Sequence, residues 1–213
     1  MTEQNSRVTL HMVASLDGFI ARRDGSVGWL DTADEFEAGE VMEPASMEAF
    51  LKTIDCYVMG ARTYETALRF ESQGLGWPYG DKPTFVLTHR DLPRARGSVE
   101  FHAGDLTPFF RDRLRPRFRS IWCVGGAGLA GEILRLGLAD EVRYSIAPVL
   151  IGQGLSFFGG LDADIRLHLA EFKAYRSGMV GLRYEVRRGA VAPSGSAAQV
   201  ARPETPPSGP GTP

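Results

Sequence analysis

The amino-acid sequence predicts an α/β protein whose sheet ends in an antiparallel hairpin. A short apolar run is followed by a glycine and then by apolar residues at helical spacing in two segments, residues 54–64 and 121–136. This order is typical of a buried strand that turns through glycine into a helix. Residues 165–175 and 180–186 alternate with a period of two around a Ser-Gly turn, and this pattern predicts two antiparallel strands.

Size, composition and charge fit an ordinary globular protein. The chain has 213 residues, of which 43% are hydrophobic and 23% charged. Its formal net charge of −2 gives no overall attraction to nucleic acid or to anionic membranes, so an anion site must be local. The polar N-terminus and the lack of a long apolar run predict neither a signal peptide nor a membrane span.

The cysteines and histidines predict buried thiols and no metal. Cys56 and Cys123 lie in apolar runs, which favours free thiols in a reducing cytoplasm. The four histidines have no close spacing, so no zinc site is expected.

Residues 1–188 form the predicted folded domain. Residues 189–213, which are rich in Pro, Gly, Ala and Ser, form a predicted disordered tail.

The N-terminal third predicts one strand followed by loops and helices. His11 lies in the first strand and is interpreted as a core or sheet-face histidine. Trp29 belongs either to a loop that covers a site or to the edge of the core. A helix is predicted to begin at Asp31 or Thr32, since acidic residues follow in its first turn, and a second helical piece follows Pro44.

Glycines at two strand ends predict a phosphate site. A strand that opens through glycine onto a helix leaves unpaired backbone N–H groups at the helix N-terminus. In the segment at residues 121–136, the residues of this turn are Gly125, Gly126, Ala127, Gly128 and Leu129. A tight packing of strand against helix explains the glycines equally well.

A Rossmann interpretation of the same glycines is rejected. Residues 126–131 match G-x-G-x-x-G literally. That fingerprint requires an acidic residue about 20 positions past the first glycine. The position falls near Ile146, inside an apolar run.

Two further strand ends carry cationic and hydroxyl side chains. Gly60 is followed by Arg62 and Thr63, and the strand at residues 84–87 is followed by Thr88 and Arg90. A guanidinium binds phosphate through a forked pair of hydrogen bonds, and a hydroxyl adds a donor. We favour a phosphate site over a solvated arginine, because two such turns could hold one extended ligand.

Four motifs in order resemble the dihydrofolate reductase-like superfamily. The likeness is closest to the reductase domain at the C-terminus of the bifunctional riboflavin-biosynthesis protein and to its stand-alone bacterial relatives. It covers roughly residues 8–186. The motifs are ASLDGFIA followed by a tryptophan, GARTY, VGGAG and APVLIGQG, at residues 14–29, 60–64, 124–128 and 147–154.

The resemblance implies a mixed, mostly parallel sheet of about eight strands with flanking helices and a C-terminal hairpin. It also implies NADPH as the hydride donor. By position, Ala14, Ile20 and Trp29 are expected along the nicotinamide. Arg62 and Thr63 are expected at the pyrophosphate and the 2′-phosphate side, Thr88 and Arg90 at the adenosine 2′-phosphate, and residues 125–129 around the pyrophosphate.

The resemblance leaves the acid of the site open. The deaminase half of the bifunctional protein is absent from this sequence. Classical dihydrofolate reductases carry an acid on the first helix shortly after the loop tryptophan, and Asp34 is the nearest match, with Asp31, Glu35 and Asp17 as rivals. Asp31, Asp34 and Glu35 could equally serve only to stabilise a helix N-terminus.

The expected function is therefore an NADPH-dependent reductase of a small heterocyclic or ribosyl-phosphate compound. The best substrate candidate is 5-amino-6-(5-phosphoribosylamino)uracil. The alternatives are dihydrofolate reduction and nucleotide binding without turnover. A homodimer is expected by analogy with the riboflavin enzymes. The free thiols predict a cytoplasmic location, and the small net charge predicts no nucleic-acid or membrane partner.

Overall fold

An eight-stranded mixed sheet forms the centre of the molecule. The computed structural model describes residues 6–31 and 34–187. The strands of this sheet are β1 (Arg7–Ser15), β3 (Cys56–Gly60), β4 (Thr84–Leu87), β5 (Val99–His102), β6 (Ser120–Gly125), β7 (Glu141–Ala147), β9 (Leu167–Ala174) and β10 (Val180–Val186). They follow the order β5-β4-β3-β6-β1-β7-β10-β9, and every pair from β5 to β7 is parallel, whereas β10 is antiparallel to both of its neighbours. The predicted fold class and hairpin are confirmed.

The helices and the smaller sheet complete the fold. A second sheet pairs β2 (Phe19–Ala21) with β8 (Leu155–Ser156) in antiparallel orientation. The helices are α1 (Pro44–Thr53), α2 (Ala61–Ser72), α3 (Leu106–Pro108), which continues as a π-helix over Phe109–Leu114, and α4 (Ala127–Arg135). The parallel neighbours of β1 are β6 and β7, so the strand order differs from that of a doubly wound dinucleotide fold.

Hydrophobic cores cover both faces of the parallel strands. Successive side chains of a strand point to opposite faces, so Leu10, Val58 and Cys123 belong to one core together with α3 and α4. Tyr57 and Met59 belong to the other core, which includes Tyr64 of α2. Both cysteines are free and buried, as predicted, and burial raises their pKa values above the ordinary range of a thiol.

The predicted helix that starts at Asp31 or Thr32 is wrong. Thr32 lies outside the described residues, and residues 34–39 form turns and irregular backbone before α1 begins at Pro44. The segment instead binds the turn of the hairpin: Phe36 N donates to Arg176 O at 2.7 Å, and Glu40 N donates to Ala174 O at 2.8 Å. Long-range backbone hydrogen bonds therefore hold this segment in place. The predicted tail at residues 189–213 also lies outside the described residues.

Helix α4 approaches a loop at a position where only glycine fits. A Cβ atom added at Gly131 would overlap the backbone carbonyl of Gly159, whereas one added at Gly128 would meet open space. Glycine normally costs about 1 kcal/mol relative to alanine inside a helix. At Gly131 this cost is offset by the close approach of the loop.

We expect Gly131→Ala to destabilise the protein by about 1–3 kcal/mol, because the backbone of the loop must move to relieve the overlap. The measurement is the free energy of unfolding in urea. The control is Gly128→Ala on the same helix, which should be neutral or slightly stabilising. Equal effects of the two substitutions would contradict the packing role of Gly131.

Candidate functional site

Three parallel strands end side by side at one edge of the sheet. In register, Gly60 of β3 pairs with Leu87 of β4, and Met59 pairs with Gly125 of β6. The carboxyl ends of parallel strands meet at the same edge, so the predicted groups that follow them share that edge. These groups are Gly60, Arg62, Thr63, Thr88, Arg90, Gly125, Gly126, Ala127, Gly128 and Leu129.

The N-termini of α2 and α4 lie next to each other at this edge. A Cβ atom built at Gly60 would lie 3.9 Å from Gly125 O, and one built at Gly126 would lie 3.9 Å from Thr63 Oγ1. Neither helix has a side-chain cap or an acidic residue in its first turn. The first N–H groups of both helices thus have no intrahelical acceptor, and the helix dipoles favour an anion there.

Gly125 allows the glycine turn to lie against the sheet. Its φ is +109°, which disfavours side chains, and a Cβ atom there would lie 2.6 Å from the sulphur of buried Met12. The turn therefore packs tightly and also opens onto a helix N-terminus. The packing interpretation of these glycines is confirmed at Gly125, and the phosphate site stays a prediction.

The two predicted arginines differ in their surroundings. Arg62 is exposed in the first turn of α2. Arg90 donates two hydrogen bonds to the carboxylate of Glu65, one of them 3.0 Å long, and its backbone N donates to Thr88 Oγ1 at 2.9 Å. The hydrogen bond from Arg90 lowers the pKa of Glu65. Sequence reasoning missed Glu65, which holds Arg90 beside α2.

The N-terminal motif forms a loop joined to a distant segment. The Asp17 carboxylate accepts hydrogen bonds from Ser15 Oγ at 2.5 Å, from Gly152 N at 2.7 Å and from Ile151 N at 3.2 Å. The hydrogen bond from Ser15 is the main cause that lowers the pKa of Asp17. Asp17 therefore connects two of the four motifs, and this structural role was missed by sequence reasoning.

The residues predicted along the nicotinamide lie around the same loop. Ala14 is fully buried near the end of β1, which is parallel to β6 and ends at the same edge. Ile20 is half-buried in β2. Trp29 is buried in a short 3-10 helix, Gly28–Leu30, and its Nε1 has no hydrogen-bond partner among the described residues.

Asp34 lies at the hairpin turn. A Cβ atom added at Gly178, between β9 and β10, would overlap the Asp34 carboxylate. Glu35 forms an ion pair of 3.4 Å with Arg176 in the same turn, and Asp31 is exposed. Asp34 lies in irregular backbone and not on a helix, so the helical placement that suggested it is corrected. None of these three acids lines the cavity beside α1.

A cavity of about 270 Å³ lies on the sheet face beside α1. Its apolar side includes Met42, Met47 and Phe50. Its charged side contains the carboxylates Glu40, Glu43 and Glu171 and the cations Arg143, Lys173 and Arg183. Ser145, which also lines the cavity, pairs with Val13, so the cavity borders the half of β1 that carries Ala14.

His11 forms the aromatic corner of this cavity. Its ring stacks on Trp122 with a centroid distance of 5.1 Å and meets Phe50 edge-on at 5.4 Å. Burial lowers the pKa of His11 to about 4, and the nearby charge of Arg143 acts in the same direction. The imidazole is therefore neutral at pH 7. The prediction of a sheet-face histidine is confirmed.

A buried carboxylate organises the charged floor of the cavity. Glu141 is 1% exposed and accepts from Arg143 at 2.6 Å, from Arg7 at 2.8 Å and from Arg183 at 3.3 Å. Burial raises the pKa of Glu141, but the hydrogen bond from Arg143 and the arginine charges outweigh burial, so the pKa is lowered. Arg143 also lies over the ring of Phe50 at 4.9 Å.

Within residues 6–31 and 34–187, no group of three or more metal-ligating side chains is present. No helix in the same residues is long and apolar enough to cross a membrane.

The sheet order, the hairpin and the two glycine-led helix N-termini define a dihydrofolate reductase-like α/β protein. A sequence model of the RibD C-terminal domain matches residues 78–181. YwjB, an uncharacterized protein of Bacillus subtilis (strain 168), is 31% identical over 169 residues, which cover 79% of this chain and 92% of YwjB. The chain belongs to the RibD C-terminal domain family.

Solved structures agree with this assignment at the level of the fold. A candidate riboflavin biosynthesis protein from Shewanella sp. PV-4 superposes with a TM-score of 0.73 at 24% identity, covering 85% of this chain and 99% of that one. A Thermotoga maritima diaminohydroxyphosphoribosylaminopyrimidine deaminase/5-amino-6-(5-phosphoribosylamino)uracil reductase superposes with a TM-score of 0.63 at 16% identity. The match covers 87% of this chain and 58% of the Thermotoga chain.

We expect Glu141→Gln to lower stability at pH 7 by about 2–3 kcal/mol, since three guanidinium groups lose their shared buried carboxylate. Because the folded pKa lies below the ordinary 4.5, the stabilisation by Glu141 is fully present above that value and is lost as the pH falls through the folded pKa. The difference from the native protein should therefore shrink in acid. The measurement is urea unfolding from pH 7 to pH 3.

Glu132→Gln on the exposed face of α4 is the control and should change stability by less than about 0.5 kcal/mol at every pH. A difference for Glu141→Gln that stays constant down to pH 3 would exclude an ionised Glu141 as the cause.

Proposed function

We propose that the protein is an NADPH-dependent reductase of a small heterocyclic substrate. The observation that carries this proposal is the shared edge of β4, β3 and β6. There the N-termini of α2 and α4 meet, with Arg62, Thr63, Thr88 and Arg90 beside them. An extended ligand with more than one phosphate matches this arrangement, because each group supplies donors at a different point of the edge.

The residues at this edge fit a dinucleotide. The N–H groups that open α2 and α4 would bind the pyrophosphate, and Gly126 leaves room for the phosphate to approach the backbone. The exposed guanidinium of Arg62 would bind the 2′-phosphate. Ala14, Ile20 and Trp29 would shield the nicotinamide end from water. NADPH supplies the hydride when bound, and the protein contributes orientation and exclusion of water.

The cavity beside β1 is the proposed substrate site. It borders β1 on the face of His11, so a ring bound beside Phe50 and His11 would lie beside the strand whose carboxyl end reaches the proposed nicotinamide end. The substrate named for the Thermotoga protein, 5-amino-6-(5-phosphoribosylamino)uracil, is the first compound to assay. Dihydrofolate is the second candidate. A homodimer and a cytoplasmic location remain proposals that rest on the resemblance and on the two free thiols.

The reductase proposal is tested by single-turnover absorbance at 340 nm with NADPH and each of the two compounds. Oxidation of NADPH that depends on the added compound is the expected result. Tight NADPH binding without oxidation by either compound would favour a binding module. Failure to bind both NADPH and NADH would overturn the proposal.

We expect Arg62→Gln to raise the dissociation constant of NADPH by at least about tenfold and that of NADH by less than about twofold, because only NADPH carries the 2′-phosphate. Fluorescence titration of the two nucleotides measures this. Arg69→Gln, also exposed on α2 but in its last turn, is the control and should leave both constants unchanged. Equal weakening of both nucleotides by Arg62→Gln would show that Arg62 binds elsewhere on the dinucleotide.

A further inference from the structure

We infer that Glu65 limits the preference of this protein for NADPH over NADH, because its carboxylate holds the Arg90 guanidinium at which the 2′-phosphate would bind. This inference rests on the proposed function. Glu65 acts against the phosphate group of the cofactor, whereas the residues named so far at this edge would bind it.

A carboxylate already fills the phosphate-binding side of Arg90. Arg90 Nη1 donates to Glu65 Oε2 at 3.0 Å, and Arg90 Nη2 donates to the other carboxylate oxygen, Oε1. A guanidinium binds a phosphate through the same forked pair of N–H groups. A 2′-phosphate that takes up these two groups therefore has to displace Glu65.

The same carboxylate lies on the face of α2 that carries Arg62. Arg62 and Glu65 are three residues apart on this helix, so their side chains are neighbours. The hydrogen bond from Arg90 is the main cause that lowers the pKa of Glu65, and the charges of Arg90 and Arg62 act in the same direction. Glu65 is therefore ionised at pH 7, and its negative charge lies beside both cations that would meet the 2′-phosphate.

The ion pair of Glu65 and Arg90 is exposed and can open. The side chain of Glu65 is 39% exposed and that of Arg90 is 57% exposed. An exposed ion pair contributes little to stability, so the fold does not depend on it. A phosphate monoester carries a charge of about −1.5 to −2 at pH 7, and Glu65 repels it. This repulsion acts on NADPH alone, since NADH carries an uncharged hydroxyl in place of the phosphate.

The backbone of Arg90 is held without Glu65. Arg90 N donates to Thr88 Oγ1 at 2.9 Å, and Thr88 N donates to His102 O of β5 at 2.9 Å. These hydrogen bonds keep the end of β4 in place when the carboxylate is removed. Loss of Glu65 therefore frees the guanidinium of Arg90 without moving the strand end.

The first test compares two nucleotides on the full chain. Fluorescence titration measures the dissociation constants of NADPH and NADH for the native protein and for Glu65→Gln. We expect Glu65→Gln to bind NADPH at least about fivefold more tightly, while the constant of NADH changes by less than about twofold. The retained affinity for NADH shows that the variant is folded. Unchanged or weaker binding of NADPH would overturn the inference, and so would a parallel change for both nucleotides.

The fragment 2′,5′-ADP carries the phosphate without the nicotinamide. Calorimetry should show the same gain for this fragment in Glu65→Gln as for NADPH, because the gain arises at the adenosine end. A gain for NADPH that 2′,5′-ADP does not share would place the effect of Glu65 elsewhere and overturn the inference.

Glu71→Gln is the matched control. Glu71 also belongs to α2 and pairs with an arginine, Arg96, but it lies in the last turn of the helix. This substitution should change the dissociation constants of both nucleotides by less than about twofold. A gain for NADPH as large as that of Glu65→Gln would overturn the inference, since the loss of any carboxylate on α2 would then suffice.

The second test shows whether the gain depends on Arg90. The pair is formally neutral in the native protein, positive in Glu65→Gln and neutral again in the double variant Glu65→Gln/Arg90→Gln. The double variant should therefore return the preference for NADPH over NADH to within about twofold of the native value. A gain that persists in the double variant would overturn the role of Arg90.

The titration of the native protein separates this inference from the proposed function. If the native protein binds and oxidises NADPH but Glu65→Gln shows no gain, the reductase proposal stands and the inference is wrong. If the native protein binds neither nucleotide, both fail together.

Discussion

Parallel pairing is the constraint on which the rest of this structure depends. β1 pairs in parallel with β6 on one side and β7 on the other, and β6 leads on to β3 and β4 in the same direction. Strands that run the same way must end at the same edge. Two helices that each follow such a strand therefore begin side by side, and their free N–H groups lie at the same edge of the sheet.

The half of the sheet that contains the antiparallel pair β10–β9 carries charged side chains on its face beside α1. Its face beside α1 carries a cross-strand row, His11–Arg143–Arg183–Glu171, and Glu141 lies next to this row under the guanidinium groups. A buried carboxylate is tolerated only where cations and donors surround it. The requirement to neutralise Glu141 fixes the arginines in place. The arginines of this face are therefore paired with carboxylates of the same face.

The loops around the edge depend on contacts between distant parts of the chain. The carboxylate of Asp17 binds the backbone of Ile151 and Gly152, more than 130 residues away, and β2 pairs with β8 close by. The motifs ASLDG and APVLIGQG thus form one structural unit. Each is a weak signal in the sequence, and the physical reason that they occur together is this set of hydrogen bonds.

The sequence by itself determined the features that depend on local pattern. Short apolar runs before glycine predicted β3–α2 and β6–α4, period-two alternation predicted the C-terminal hairpin, and the glycines themselves predicted where helix N–H groups stay unpaired. Acids after Asp31 suggested a helix. Only the tertiary structure decided against it, because residues 34–40 form backbone hydrogen bonds with the hairpin turn, at Arg176 and Ala174. The same holds for the cavity: Glu43, His11 and Arg183 are far apart in sequence, and no local pattern reports which side chains a folded sheet brings to one face.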